Sequence, residues 1–203
     1  MIRAEKVCLK IKEKTIFENI SFDIENPQMV AITGVSGCGK TSLLNCLGLI
    51  KDISSGKIYI NKKDCTNLTE KDRISFWENT ATFIFQDYGI IDEESVIYNI
   101  TFSNKKSTRN KAKEYLKKVG LEEKSNSIAS TLSGGEKQRL GIARALYKKA
   151  KIIFADEPTA SLDEKNRNII VNLLMECVNN GILVVVATHD DKLSQSCDKI
   201  IAM

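Results

Sequence analysis

Apolar positions along this chain follow two rhythms, and their order outlines a fold. Between Thr15 and Ile24 they alternate (Ile16, Ile20, Phe22, Ile24), as in strands near a sheet edge. Pro27 interrupts the alternation, and Met29–Thr33 is then an unbroken apolar run that ends at a glycine-rich stretch. Lys40 to Ile50 carries Leu43, Leu44 and Leu47 at helical spacing. Ser54-Ser55-Gly56 reads as a turn into a short strand over Lys57 to Ile60, and Thr80 to Phe85 as a further β-rich run ended by Gln86-Asp87. From Ser95 to about Val119 the chain turns polar and helical, with Ala112, Tyr115, Leu116 and Val119 on one face. Another helix begins near Ser133 and runs through Leu140, Ile142, Ala143 and Leu146. Two buried-type strands, Lys151 to Ala155 and Ile182 to Ala187, flank a helix over Glu164 to Asn179, the order of a right-handed parallel crossover. Lys199 to Met203 reads as a last strand.

None of these segments approaches the roughly 18 consecutive apolar residues needed to span a bilayer. The N-terminal Met1-Ile-Arg-Ala-Glu-Lys-Val lacks the basic region, apolar stretch and small-residue cleavage site of a secretory signal, so membrane association is expected only through a partner. At 203 residues, 42% hydrophobic and 28% charged, the chain suits one domain with a substantial core. It shows no internal repeat, low-complexity tract or linker. The net charge of +4 is too mild to argue for nucleic acid, and lysine pairs such as Lys105-Lys106 and Lys117-Lys118 read as solvated helix faces. Six cysteines without a C-x-x-C pair or a Cys/His cluster are expected as reduced thiols.

The chemistry concentrates in short stretches. Gly34-Val-Ser-Gly-Cys-Gly-Lys-Thr41 matches G-x-x-x-x-G-K-[ST] and lies between an apolar strand and an amphipathic helix, the context a phosphate-binding loop requires. Gly34, Gly37 and Gly39 let backbone N–H groups approach phosphate, with Ser36 and Ser42 beside them. Lys40 reaches the β/γ-phosphates and Thr41 offers a hydroxyl to Mg²⁺. Cys38 puts a thiol inside the loop, where alkylation is expected to block nucleotide binding. Ile152-Ile-Phe-Ala-Asp156-Glu157 is an apolar strand ending in adjacent carboxylates. Asp156 is placed to hold Mg²⁺ and Glu157 to polarise a water in line with the γ-phosphate; solvent-facing strand-end charges are the plainer alternative. Pro158 then fixes the turn. Leu132-Ser-Gly-Gly-Glu136-Lys-Gln138 is a second Gly-rich loop opening a helix, and two phosphate-grade loops so far apart imply subunits that work as a pair. Ser133 and Glu136 also make a capping box, a reading compatible with anion binding at the same helix start. Asp163 alone reads as an N-cap before Glu164, and His189 is the only histidine, a residue more often structural than catalytic when alone.

Taken in order, Gly34 to Thr41, Gln86, Leu132 to Gln138, Asp156-Glu157, Ser161-Leu-Asp163 and His189 resemble the nucleotide-binding domain of ABC transporters, over nearly the whole chain. The resemblance implies an α/β P-loop NTPase core sheet with an N-terminal antiparallel layer and a helical lobe. It would be one domain over 1–203, with its core at 1–85 and 140–203 and the lobe at 86–139. It implies ATP and Mg²⁺ as cofactors, and two copies trapping two nucleotides head to tail. Gln86 would reach Mg²⁺ or the attacking water and couple the site to a membrane partner. Ser133, Gly134 and Gly135 would contact the γ-phosphate held by the other copy. Asp163 would communicate across the dimer, and His189 would hold the γ-phosphate. The family usually stacks an aromatic residue on adenine; the corresponding position here is about Ile11, which is aliphatic, so adenine selectivity is expected to be weaker unless another aromatic such as Phe17 assists.

The stretch from Gln86 to Ile100 is similar to stand-alone ATPases that serve separate permeases in lipoprotein-releasing, macrolide-export and antimicrobial-peptide or bacteriocin export systems. Such a protein would sit on the cytoplasmic face of the membrane through its permease, with Ile90, Ile91, Val96 and Ile97 either lining a groove for the partner or packing in the core. Related domains often continue past a last strand like Lys199 to Met203, so a minimal version is expected. The rival is a soluble ABC-type ATPase acting as an assembly factor or interaction module without a transporter. DNA-repair relatives would carry long heptad arms, which are lacking here.

Overall fold

In the computed structural model, which describes residues 1–203, the strands sort into two sheets. β1 (Ile2–Ile11), β2 (Lys14–Ile24), β4 (Ser55–Ile60) and β5 (Lys63–Asp64) form an antiparallel sheet in the order β2-β1-β4-β5. β3 (Met29–Thr33), β6 (Ala81–Ile84), β7 (Ile152–Asp156), β8 (Leu183–Ala187) and β9 (Lys199–Ala202) form a wholly parallel sheet in the order β6-β7-β8-β3-β9.

The parallel strands read as continuous apolar runs because both of their faces are buried. Successive side chains point to opposite faces, so each strand feeds two cores. Ile152 and Phe154 of β7, with Leu183 and Val185 of β8 and Val30 and Ile32 of β3, pack toward the antiparallel sheet and helix α1 (Lys40–Leu47). Ile153 and Ala155, Val184 and Val186, and Met29 and Ala31 face the other way. There they meet α3 (Val96–Thr101), α4 (Lys106–Lys118), α5 (Gly134–Lys148) and α6 (Glu164–Asn179). α5 runs unbroken through residues 139 and 140, so the segment 86–139 shares a helix with the rest of the domain.

Five differences from the sequence pattern have physical causes. β1 escapes a period-two reading because bulges change its parity: Ile2 and Ala4 are buried, then Val7 and Leu9, with Lys6 at φ 47 between them. α2 (Glu70–Asn79) buries no residue and so has no apolar stripe; Thr69 starts it by accepting from the Asp72 N–H. The helical stretch predicted from Ser95 to Val119 is two helices, broken where Phe102 turns left-handed (φ 45) and Ser103 Oγ accepts from the Lys105 N–H. The helix expected over Lys40 to Ile50 stops at Leu47, where Gly48 ends it and Leu49 has φ 61. α7 (Asp191–Gln195), one short turn capped by Asp190, also went unread.

Candidate active site

The strand order fixes where chemistry can gather. Gln86 follows β6, Asp156 ends β7, Thr188 and His189 follow β8, and the loop Gly34–Gly39 follows β3. All four segments therefore emerge side by side at the C-terminal edge of one parallel sheet, where ligands bind in open α/β folds. A cavity of about 430 Å³ opens there. It is lined by Ser36, Gly37, Gly39, Lys40, Thr41 and Ser42 from the loop and α1, together with Gln86, Glu157, His189 and Ile16.

The loop turns sharply into α1. Gly39 caps the helix at φ 106, and a β-carbon there would lie 2.9 Å from Ile16 Cγ2, so only glycine fits. No acidic residue occupies the first turn of α1, leaving its N-terminal N–H groups for an external anion. Lys40 is buried, and its Nζ donates to Gly34 O at 2.9 Å and Val35 O at 3.2 Å, folding the ammonium under the loop.

Asp156 shares the parity of Ile152 and Phe154 and so faces α1, where Thr41 Oγ1 donates to its Oδ1 at 2.9 Å. Burial raises its carboxyl above the usual range; the Thr41 hydrogen bond opposes this, the Glu157 charge adds to it and Lys40 opposes it. A buried carboxylate whose charge is incompletely compensated, with a hydroxyl beside it, is a hard-oxygen donor set that fits Mg²⁺. Gln86 faces the same cavity.

Glu157 adopts φ 44, a left-handed conformation uncommon for a residue with a side chain. Its N–H donates to Ala187 O at 2.8 Å, extending the β7–β8 ladder by one step. Its carboxylate accepts from Thr188 Oγ1 at 3.1 Å and the His189 N–H at 3.4 Å, while His189 Nδ1 lies 2.7 Å from Oε1.

The other expected residues lie elsewhere. Ser133 caps α5: its hydroxyl accepts from the Glu136 N–H at 3.4 Å, and Glu136 Oε2 accepts from the Ser133 N–H at 2.9 Å, completing the capping box. Gly134 and Gly135 open that helix tightly against neighbours; a β-carbon on Gly134 would meet Tyr88 Oη at 2.8 Å and one on Gly135 would meet Asn166 Oδ1 at 2.8 Å. Asp163 caps α6 by accepting from the Asn166 N–H at 2.8 Å, and Arg139 donates to Asn166 Oδ1 at 3.2 Å. Asn166 thus joins the start of α5 to the start of α6. Neither loop lines the cavity, and nor do Cys38, whose Sγ is turned toward Gly34 and Met203, or Gly34 itself. Ile11 is at the far end of β1, 40% exposed and outside the cavity; the one apolar wall is Ile16. Val96 and Ile97 are core residues rather than groove residues, Ile90 is partly buried, and only Ile91 is exposed.

Ile16, Tyr88, Asn166 and Thr188 went unread as site residues. Of these, Thr188 alone had a local signal, a hydroxyl residue at a strand tip beside the sole histidine.

A phosphate-binding loop set over a buried carboxylate, in a parallel sheet covered by an antiparallel layer and a helical lobe, defines a nucleotide-hydrolysing cassette. The description "ABC transporter" matches residues 17–160. An uncharacterized ABC transporter ATP-binding protein of Methanocaldococcus jannaschii is 36% identical, covering 98% of this chain and 92% of its own. The lipoprotein-releasing system ATP-binding protein LolD of Ehrlichia canis is 36% identical, covering 95% and 88%. The macrolide export ATP-binding/permease protein MacB of Campylobacter jejuni is 34% identical over 99% of this chain, which spans only 32% of that longer protein. A dimeric, post-hydrolysis ATP-binding cassette bound to ADP and Pi superimposes with a TM-score of 0.91 at 30% identity, covering 100% of this chain and 94% of that one. The chain belongs to the ABC transporter family. It is an ATP-binding, ATP-hydrolysing subunit that uses ATP and Mg²⁺, and the cassette it superimposes on is a dimer. No helix in it is long and apolar enough to cross a membrane.

Proposed function

We propose that this chain energises a separately encoded permease, from the cytoplasmic face of the membrane, and that the cargo is exported: a peptide, lipoprotein or antibiotic-like compound. The names of LolD and MacB support the cargo class. Alignment over most of two relatives named only as ATP-binding proteins supports a separate permease.

The observation that carries the catalytic reading is the meeting of Lys40, Thr41, Gln86, Glu157 and His189 at one cavity, with Asp156 bonded to Thr41. In it, the N–H groups of the Gly34–Thr41 loop and the Lys40 ammonium bind the phosphates of ATP. Thr41 and Asp156, with Gln86, would hold Mg²⁺, which when bound supplies positive charge to the phosphate oxygens. Glu157 orients the attacking water and takes its proton at the carboxylate, and His189 steadies the γ-phosphate. Ser133, Gly134, Gly135 and Asp163, which lie outside the chain's own cavity, complete the site of the opposing copy, whose loop is completed in turn.

Glu157→Gln tests this. It keeps the shape of the side chain but removes the base, so ATP binding should persist while turnover falls about 100-fold or more and the ATP-bound dimer becomes long-lived on a sizing column. Wild-type turnover in that variant would remove Glu157 from its role. Co-purification with a membrane protein encoded nearby tests the permease.

A further inference from the structure

We propose that Thr188 is a positioning residue for hydrolysis, acting through Glu157; the inference rests on the reading of Glu157 as the base.

Glu157 needs a holder. Its left-handed backbone (φ 44) fixes where the side chain departs, and the one ring that touches its carboxylate, His189, is 68% exposed. Thr188 is the rigid neighbour. It is completely buried, and its N–H donates to Ile32 O at 3.0 Å, pinning it to β3.

Its hydroxyl is engaged on both sides. The Asp190 N–H donates to Oγ1 at 3.0 Å, and Oγ1 donates to Glu157 Oε2 at 3.1 Å. A backbone N–H can only donate, so it takes a lone pair of the hydroxyl and leaves the hydroxyl proton for Glu157. The loop that presents Oγ1 is itself anchored. Asp190 accepts from the Lys192 N–H at 3.0 Å to cap α7, and from Thr159 Oγ1 at 3.0 Å.

Two consequences follow for the carboxylate. Oε2 is committed to Thr188 and the His189 N–H, so Oε1, shared only with the His189 ring, is the oxygen left to accept from a water. The rotamer is also set before substrate arrives, which matters because a small misplacement of a reacting group costs rate steeply.

The test is steady-state MgATP hydrolysis by the full chain carrying Thr188→Val, Thr188→Ser, Glu157→Gln, or Thr188→Val with Glu157→Gln. Thr188→Val should lower kcat about tenfold or more, the effect of losing a hydrogen bond to a charged group. The KM for ATP should stay within about twofold, because binding relies on the loop rather than on Thr188. Thr188→Ser, which keeps the hydroxyl, should restore most of the rate. Added to Glu157→Gln, Thr188→Val should cause no further loss.

Wild-type kcat in Thr188→Val beside a crippled Glu157→Gln overturns the inference and leaves the base reading intact. An equal loss in both backgrounds overturns it too, since Thr188 would then act by another route. Wild-type turnover in Glu157→Gln overturns the base reading and this inference together. Should the valine variant not fold, Thr188→Ala, which also lacks the hydroxyl, must show the same kcat loss with unchanged KM; normal kcat there refutes the inference.

Discussion

Glu136 does two things at once. Its Oε2 closes the capping box with Ser133, and its Oε1 takes a 2.6 Å hydrogen bond from Lys124 Nζ. Partial burial works against its charge, but Lys124 and the two groups of Ser133 outweigh that and hold the carboxyl below its usual range. A carboxyl depressed in the folded state adds stability above its ordinary pKa and loses it as pH falls through the folded value. The carboxyl resonance of Glu136, followed by ¹³C NMR, should therefore titrate below 4.5, the ordinary value. Lys124→Ala should move the midpoint back up. Acid should thus loosen the Ser133–Gly135 loop at its helix start before it disturbs the core. The same local logic made several site residues legible in the sequence. Gly34 to Thr41 and the Asp156-Glu157 pair are defined by the order of residue types between a strand and its sequel. Ile16 is not, because it reaches the cavity from the other sheet, and Thr188 shows only its place beside the sole histidine, since its partner Glu157 follows a different strand and pairing across strands leaves no trace in spacing.

At the scale of elements, the segment between β6 and α3 is held by one buried amide. Asn99 is completely buried; its Oδ1 accepts from the Ile91 N–H at 2.8 Å, and its Nδ2 donates to Ile91 O at 2.9 Å and Ser95 O at 3.2 Å. Arg144 of α5 fastens the same region, donating to Asn99 O at 2.9 Å and Gly89 O at 2.8 Å. Asn99→Ala leaves the Ile91 groups without partners and should cost about 2 kcal/mol. Faster tryptic cleavage near Arg109 and faster amide exchange at Ile91 would report it, with the parallel sheet still protected. The elements that the sequence revealed are those with an apolar face to bury, such as β3, α5, β7, α6 and β8. Those it hid show no regular one in their spacing: α2 buries no residue fully, β1 changes parity at its bulges, and the break at Phe102 is made by a backbone conformation and a serine hydroxyl rather than by Gly or Pro.

For the whole molecule, the parallel sheet is shared property. Phe154, among the largest fully buried side chains, stacks on Phe83 with ring centroids 5.1 Å apart, while its neighbours Ile153 and Ala155 serve the opposite core. Phe154→Ala should cost about 3–5 kcal/mol. Because both cores rest on the same strands, the loss should appear as one transition. The fluorescence of Trp77, which donates to Gly48 O at 2.8 Å, and the helical circular dichroism should shift to the same lower midpoint. Separate midpoints would show that the helical lobe melts by itself.

The parity of β7 also constrains how such a chain can drift over generations. Dropping or adding one residue between Ile152 and Phe154, with the start of the strand held in register, would swing Phe154 into the helical side and turn Asp156 away from Thr41 in the same stroke. Indels inside this strand would therefore erase folding and ATP turnover together.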